Sequence, residues 1–202
     1  STRYGNLYQN SCGLGLQDTV REHAKRLVNI HREEVTIERK LAILMGKDEF
    51  TNYRKVFARF GFGRRVEAML ISQIYPFENY LKDGKPIVRI TRGRKSGNKT
   101  KKHLSLRRFT KALGVAPTEE SSGDRESKHI VGGSDLCRKT LWQWLFTRIE
   151  VLRSRPKNEI CKLIGDRLDN EKASGRPVKL IRMRVSAYAV KLLFYELVNN
   201  LN

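Results

Sequence analysis

Residues 50–74 read FTNYRKVFARFGFGRRVEAMLISQI, and this stretch decides the fold class. Phe50 to Phe60 reads as a short helix, Gly61-Phe62-Gly63 as a turn, and Arg64 to Ile74 as a second helix. Helix, G-x-G, helix is the pattern of a helix-hairpin-helix element, here assigned to residues 47–81. Its turn, through Gly61 and Gly63, can offer backbone N–H groups and a positive helix N-terminus to a phosphate, with Arg64 and Arg65 adding cationic side chains. A plain turn between two core helices is the other reading of the same residues.

Outward toward the N-terminus, residues 1–16 are polar, carry Gly5, Gly13 and Gly15, and read as a loose arm. From about Gln17 a helix is predicted up to Gly46. Val20, Leu27, Ile30, Ile37, Leu41 and Leu44 recur at sevens, threes and fours, a coiled-coil-like seam interrupted by His23 and Glu34. Pairing between chains and packing of an ordinary amphipathic helix on its own domain both satisfy that pattern. Arm and helix together make up residues 1–46.

Outward toward the C-terminus, residues 82–111 hold twelve lysines and arginines against the single acid Asp83. In the insert at 82–103, Pro86 to Ile90 reads as a strand, and Arg92 to Lys102 as a flexible basic loop. No aromatic residue interleaves there, so base stacking is not its expected mode. Phosphate contact without sequence readout is, through Arg92, Arg94, Lys95, Lys99, Lys101 and Lys102, with Arg107 and Arg108 beside them. From Leu104 onward the chain reads as packed helices. Leu106, Phe109 and Leu113 share one face, and a polar segment runs to about Gly133. A helix from Ser134 buries Cys137, Leu141, Trp144, Leu145 and Leu152, with Trp142 and Trp144 read as packing residues rather than ligand platforms. Pro156 opens a helix carrying Ile160, Leu163, Ile164 and Leu168. Residues 169–177 read as a charged linker, and a last helix turns Ala187, Val190, Leu193, Phe194 and Leu197 inward. The expected fold class is therefore mainly α: a long coiled-coil-like helix, a helix-hairpin-helix, a basic insert with short strands, and a C-terminal helical domain at 104–202.

The whole chain carries 41 Lys and Arg against 21 Asp and Glu in 202 residues, a formal charge of +20. With 39% apolar residues it can bury a core, so it is not a disordered basic tail. An excess of this size repels itself unless a polyanion offsets it, which points to DNA or structured RNA as partner. No long apolar run marks a membrane span. Cys12, Cys137 and Cys161 form no C-x-x-C pair and share no ligand spacing with His23, His31, His103 or His129, so a zinc site is not expected. Such cysteine usage fits a reducing compartment.

The polar segment Leu113-Gly114-Val115-Ala116-Pro117-Thr118-Glu119-Glu120-Ser121-Ser122-Gly123 places two serines beside a glycine. A hydroxyl is a weak nucleophile that needs a base, a metal or a cationic clamp, and an ordinary turn fits the same letters. Glu119, Glu120, Asp124 and Glu126 around it read as a solvated acidic loop. Here the chain resembles the C-terminal half of the insertion-sequence transposases and DNA invertases of the Piv type, the bridge-RNA-guided serine recombinases. Phe60-Gly61-Phe62-Gly63-Arg64-Arg65-Val66-Glu67-Ala68 is similar to that family's "pGiGp..A" hairpin. Gly114-Val115-Ala116-Pro117 with Ser121-Ser122-Gly123 matches its "GL.P...SSG" at the same spacing. Ile130, Gly133, Arg138 and Leu141 match part of "I.K.G…LR..L", and Ala187 to Leu193 resembles its closing "A..AvA.kLL" helix. The likeness spans roughly residues 20–200 and is most specific at 113–141.

That resemblance implies DNA recombination or transposition. Ser122, or failing it Ser121, would attack the scissile phosphate to form a phosphoserine link, and Arg138 would sit near the phosphate or brace the loop. It further implies a guide RNA beside the DNA, action in a prokaryotic cytoplasm at the nucleoid, and self-association. Magnesium is implied as well, held by an Asp-Glu-Asp-Asp set in a separate N-terminal domain, so no cofactor is expected within residues 1–202. Two departures stand out. The lysine of "I.K.G" is missing at Val131-Gly132, and the basic insert at 89–103 is foreign to the pattern. A non-enzymatic DNA- or RNA-binding or architectural protein is the rival expectation.

Overall fold

The computed structural model describes residues 18–92, 97, 99–116, 118–122, 125–129 and 132–201, with 118–122 and 125–129 given as backbone, and in it the chain is mainly helical. The expected arm, together with Arg94 and Lys95, lies outside the described residues. Two compact units divide after residue 48.

The first unit is built on one helix, α1 (Asp18–Met45), which stops where Gly46 donates its N–H to the carbonyls of Ala42 and Ile43 at 3.1 Å each. Its buried positions are Val28 and Met45. The seam lies on a neighbouring stripe and faces solvent: Val20, Leu27, Ile30, Ile37 and Leu44 are all exposed, Ile37 by 63%. Leu41 is half-buried.

In the second unit the predicted hairpin of helices forms as α2 (Thr51–Arg59) and α3 (Arg64–Ile74). They are joined by α4 (Leu104–Ala112), α5 (Asp135–Trp144), α6 (Glu159–Ala173) and α7 (Val178–Leu201). Helix α7 is the centre of the packing. Its Ile181, Val185, Ala189, Leu193 and Leu197 recur every fourth residue and are buried, and it packs on α2, α4, α5 and α6. Phe194 of α7, Phe109 of α4 and Phe77 close a ring cluster with centroids 5.3 to 5.8 Å apart. Each such side chain contributes about 1.5–3 kcal/mol on burial. Two caps set helix starts: Ser134 Oγ accepts from Cys137 N at 3.2 Å, and Asn158 Oδ1 accepts from Cys161 N at 2.8 Å, each typically contributing about 1 kcal/mol.

Several expectations need correction. Leu152 is 72% exposed rather than buried. A π turn at Leu145–Ile149, closed by Glu150 N–H on the Leu145 carbonyl at 2.9 Å, ends the helix before it. Leu163 is exposed, because α6 buries the face carrying Cys161, Ile164, Gly165 and Leu168. The capping Asn158 starts α6 at Glu159 rather than at Pro156, and the expected linker at 169–177 is helical as far as Ala173. The Lys99–Lys102 end of the expected basic loop belongs to a second strand: β3 (Val88–Arg92) pairs antiparallel with β4 (Lys99–His103). The polar segment likewise holds an antiparallel pair, Thr118–Ser122 with Arg125–His129. A shorter pair, β1 (Leu81–Lys82) with β2 (Lys85–Pro86), precedes the ribbon.

Candidate nucleic-acid interface

Cross-strand register explains what the β3–β4 ribbon presents. Arg89 stands opposite Lys102, Ile90 opposite Lys101, Thr91 opposite Thr100 and Arg92 opposite Lys99. Directly opposed residues share a face and successive residues alternate faces. Both faces therefore carry cations, and each has one pair of like charges directly opposed, an arrangement that costs roughly 0.2–1 kcal/mol per pair. Nor does a buried face repay it: all five residues of β4 are exposed, and in β3 only Thr91 is half-buried. Among the described residues, the ion pairs lie in α1 and the helical body, and none takes a ribbon cation.

A lone two-stranded ribbon is marginal in water, and this one is tied down at its root. The Ile87 carbonyl accepts from the N–H groups of Leu104 at 2.9 Å and Ser105 at 3.4 Å. In return Ile87 N–H donates to the buried Ser105 Oγ at 2.8 Å. From that root α4 carries Arg107 and Arg108, both exposed, while Phe109 anchors its other side in the core. Arg108 and Lys111 line a cleft of about 510 Å³ with Tyr75, Asn79, Tyr80 and Gly133. Burial pushes the Tyr80 phenol above its ordinary value, against the nearby Arg108 charge, which lowers it. The cleft is thus cationic on one wall and aromatic on another.

Gly133 also belongs to the base of the serine segment. Gly114, at φ +68°, and Gly133, at φ +72°, stand face to face. A Cβ on Gly133 would lie 1.8 Å from the Lys111 carbonyl oxygen and 2.7 Å from Gly114 Cα; one on Gly114 would lie 2.5 Å from the Ser134 carbonyl oxygen. Gly114 N–H donates to Lys111 O at 2.9 Å, and Ser134 N–H to Ala112 O at 3.0 Å. Both ends of the segment are therefore closed by backbone contact. Arg138 reinforces the closure, reaching the Gly114 carbonyl at 3.4 Å and pairing with Asp135. Ser121 and Ser122 end the first strand of the pair, Ser122 in register with Arg125; their side chains lie outside the described residues, as do those of Glu119, Glu120, Asp124 and Glu126.

The G-x-G turn sits elsewhere on the body. Gly61, at φ +64°, leaves no room for a Cβ, which would come within 2.7 Å of Pro156 Cγ. Trp144 Nε1 donates to the Phe60 carbonyl at 3.1 Å, and its ring meets Phe62 edge-on at 4.8 Å. Two N–H groups expected to be on offer are used internally: those of Gly61 and Phe62 close the end of α2 on Ala58 and Phe57. Gly63, Arg64 and Arg65 remain exposed at the start of α3. The element is therefore a core-anchored turn carrying two surface arginines.

Sequence reasoning missed Tyr75, Tyr80 and Lys111 in the cleft. It also grouped Trp142 with Trp144, although only Trp144 is buried. Two residues apart on a helix lie about 200° around it, a signal that only one of the pair could face the core. Among the described residues no three His, Cys, Asp or Glu side chains converge on a metal position. No helix among the described residues is long and apolar enough to cross a membrane. No protein-family model matches this chain, and comparison with curated proteins and with solved structures finds no match.

Proposed function

We propose that this chain binds nucleic acid through the β3–β4 ribbon and the adjoining arginines of α4, and that it serves DNA recombination or transposition as the serine-bearing half of the enzyme. The observation that carries the binding is the pair of like-charge oppositions, Arg89 with Lys102 and Arg92 with Lys99, kept on a ribbon with no core face. A polyanion relieves that repulsion. A five-residue ribbon, about 17 Å long, suits the width of a DNA major groove or the track of a backbone. Neutralising Arg92, Lys99, Lys101 and Lys102 to glutamine should weaken duplex DNA of any sequence alike; unchanged affinity would take the ribbon out of the interface.

The recombinase reading rests on the sequence resemblance and is supported by the closed Gly114–Gly133 base from which the Ser-Ser-Gly segment springs. In it the Ser122 oxygen forms a bond to phosphorus as the bond from phosphorus to one sugar oxygen breaks. The hydroxyl proton passes to the departing oxygen, and attack by a second strand's hydroxyl reverses the exchange and frees the serine. Arg138 holds the base of the segment, DNA and a guide RNA are the partners, and the site of action is the prokaryotic cytoplasm. A non-enzymatic DNA- or RNA-binding role is favoured by one observation: the ribbon presents cations on both faces whatever the serines do.

Self-association belongs to the same proposal, through the exposed seam of α1. An antiparallel pairing that sets Leu27 against the partner's Ile30 also sets Glu34 against the partner's His23 and Arg26 against the partner's Glu33. A parallel, in-register pair would oppose Glu34 to its own copy and Glu33 to the partner's Glu38.

A further inference from the structure

Trp142 and Phe146 lie one turn apart at the end of α5 and in the π turn, with ring planes 17° apart and centroids 5.7 Å apart. Arg182 of α7 covers both rings, its guanidinium carbon 5.0 Å from the Trp142 centroid and 4.7 Å from that of Phe146. That guanidinium is itself fixed by two hydrogen bonds to Glu150, at 2.8 and 3.2 Å, and Lys172 holds the same carboxylate at 2.8 Å. Phe146 nevertheless stays 42% exposed. Both rings line a cleft of about 640 Å³ whose walls do not include Arg182, so the cation backs the rings on one side and the cleft opens on another. At its mouth Arg138 and Lys139 share the single carboxylate of Asp135, Lys139 at 2.7 Å. Gln143 supplies an amide on the wall, and Thr147 a hydroxyl that donates to the Gln143 carbonyl at 2.9 Å and keeps its lone pairs to accept.

We propose that this cleft is a stacking site for an unpaired base of single-stranded nucleic acid. A flat apolar platform with its rings held in place by a cation, polar groups for a base edge, and one lysine and one arginine against one acid match the face and edge of a base and the phosphate that follows it. Such a platform tolerates any base, since every base has a π-face. The volume lies in the ordinary range of small-ligand pockets. The inference rests on the nucleic-acid reading above and adds to it a division of labour: the ribbon, which has no Phe, Tyr or Trp, grips phosphates, and the platform detects unstacked bases.

The test compares a labelled twelve-residue oligothymidylate with an abasic strand of equal length and charge, and with duplex DNA, on the full chain. Wild-type protein should bind oligothymidylate about 5- to 150-fold more tightly than the abasic strand. Trp142→Ala and Phe146→Ala should each bring oligothymidylate down toward the abasic level while leaving duplex affinity within twofold, and Trp142→Phe should restore the preference. Equal affinity of the wild type for the two strands overturns the inference whatever the variants do, as does a preference that survives in the folded double variant. Failure of every strand and duplex to bind would instead remove the nucleic-acid reading itself.

Discussion

Gly133 tolerates no side chain, because its left-handed backbone and the Lys111 carbonyl oxygen 1.8 Å from a would-be Cβ exclude even a methyl group. Gly133→Ala should therefore cost about 1–3 kcal/mol from the backbone alone, with the clash added, measured by urea unfolding. Ser122→Ala deletes only a hydroxyl and should stay within about 0.5 kcal/mol of wild type. In the recombinase reading it should nonetheless abolish any covalent protein–DNA adduct, while Ser121→Ala retains it. Adduct formation surviving in the double variant would make the segment structural. Carboxylates on the helical body give a third expectation. Glu171, buried at the end of α6, accepts from Arg167 at 2.7 Å, Arg176 at 2.9 Å and Arg184 at 3.1 Å. Burial works to raise its pKa, and the three guanidinium groups override this and hold it below the ordinary 4.5. Glu150 behaves alike: burial raises, and Arg182 and Lys172 more than compensate. With folded values depressed, the unfolded chain binds more protons as pH falls through the ordinary carboxylate range, so these groups stabilise the fold at neutral pH and cease to do so in acid. Melting at pH 7 and pH 3 should show Glu171→Gln destabilised at the higher pH and nearly level with wild type at the lower; an equal deficit at both would contradict the ion-pair account.

Elements differ in how plainly the sequence announced them. The α2–α3 pair was legible to within a residue at each end, because apolar spacing on both sides of a G-x-G turn marks two helices and the break between them. The two longer strand pairs were legible only in part: Pro86 to Ile90 announced a strand in the insert, but KTKKH and TEESS carry little of the β-branched and aromatic composition that marks strands, and register is fixed by what closes their ends, Ile87 with Ser105 and Gly114 with Gly133. The misplacement of Leu163 has a similar cause. Gly165 lies on the buried face of α6, where a Cβ would meet the Arg155 guanidinium at 2.5 Å, and a glycine contributes nothing to an apolar pattern. The candidate site was legible where it depended on charge, in the cations of 89–108, and illegible where it depended on helix phase, at Trp142, or on contacts distant in sequence, at Tyr75 and Tyr80. The seam of α1 was legible as a pattern, and its exposure leaves it available for a second chain. Leu27→Glu should reduce the mass of the species in solution to that of one chain without changing the melting of the second unit. Reversing Arg26 and Glu33 together should preserve the assembly and reversing either alone should weaken it; a wild type already monomeric at micromolar concentration would confine the seam to a surface feature.

At the scale of the whole molecule the decisive property is charge. A formal +20 on 202 residues opposes folding; among the described residues the ion pairs that offset it are gathered on α1 and the helical body, and residues 84–118 hold eleven lysines and arginines and no acid. In the proposed reading, the like charges set directly opposite one another on the exposed ribbon exchange their counterions for a phosphate backbone. The salt dependence of duplex binding measures that exchange. Engagement of about eight phosphates should give a log–log slope of about −7, and neutralising Arg92, Arg94, Lys95, Lys99, Lys101 and Lys102 should flatten it to about −2. A wild-type slope near zero, or a slope that these six substitutions leave unchanged, would contradict the account.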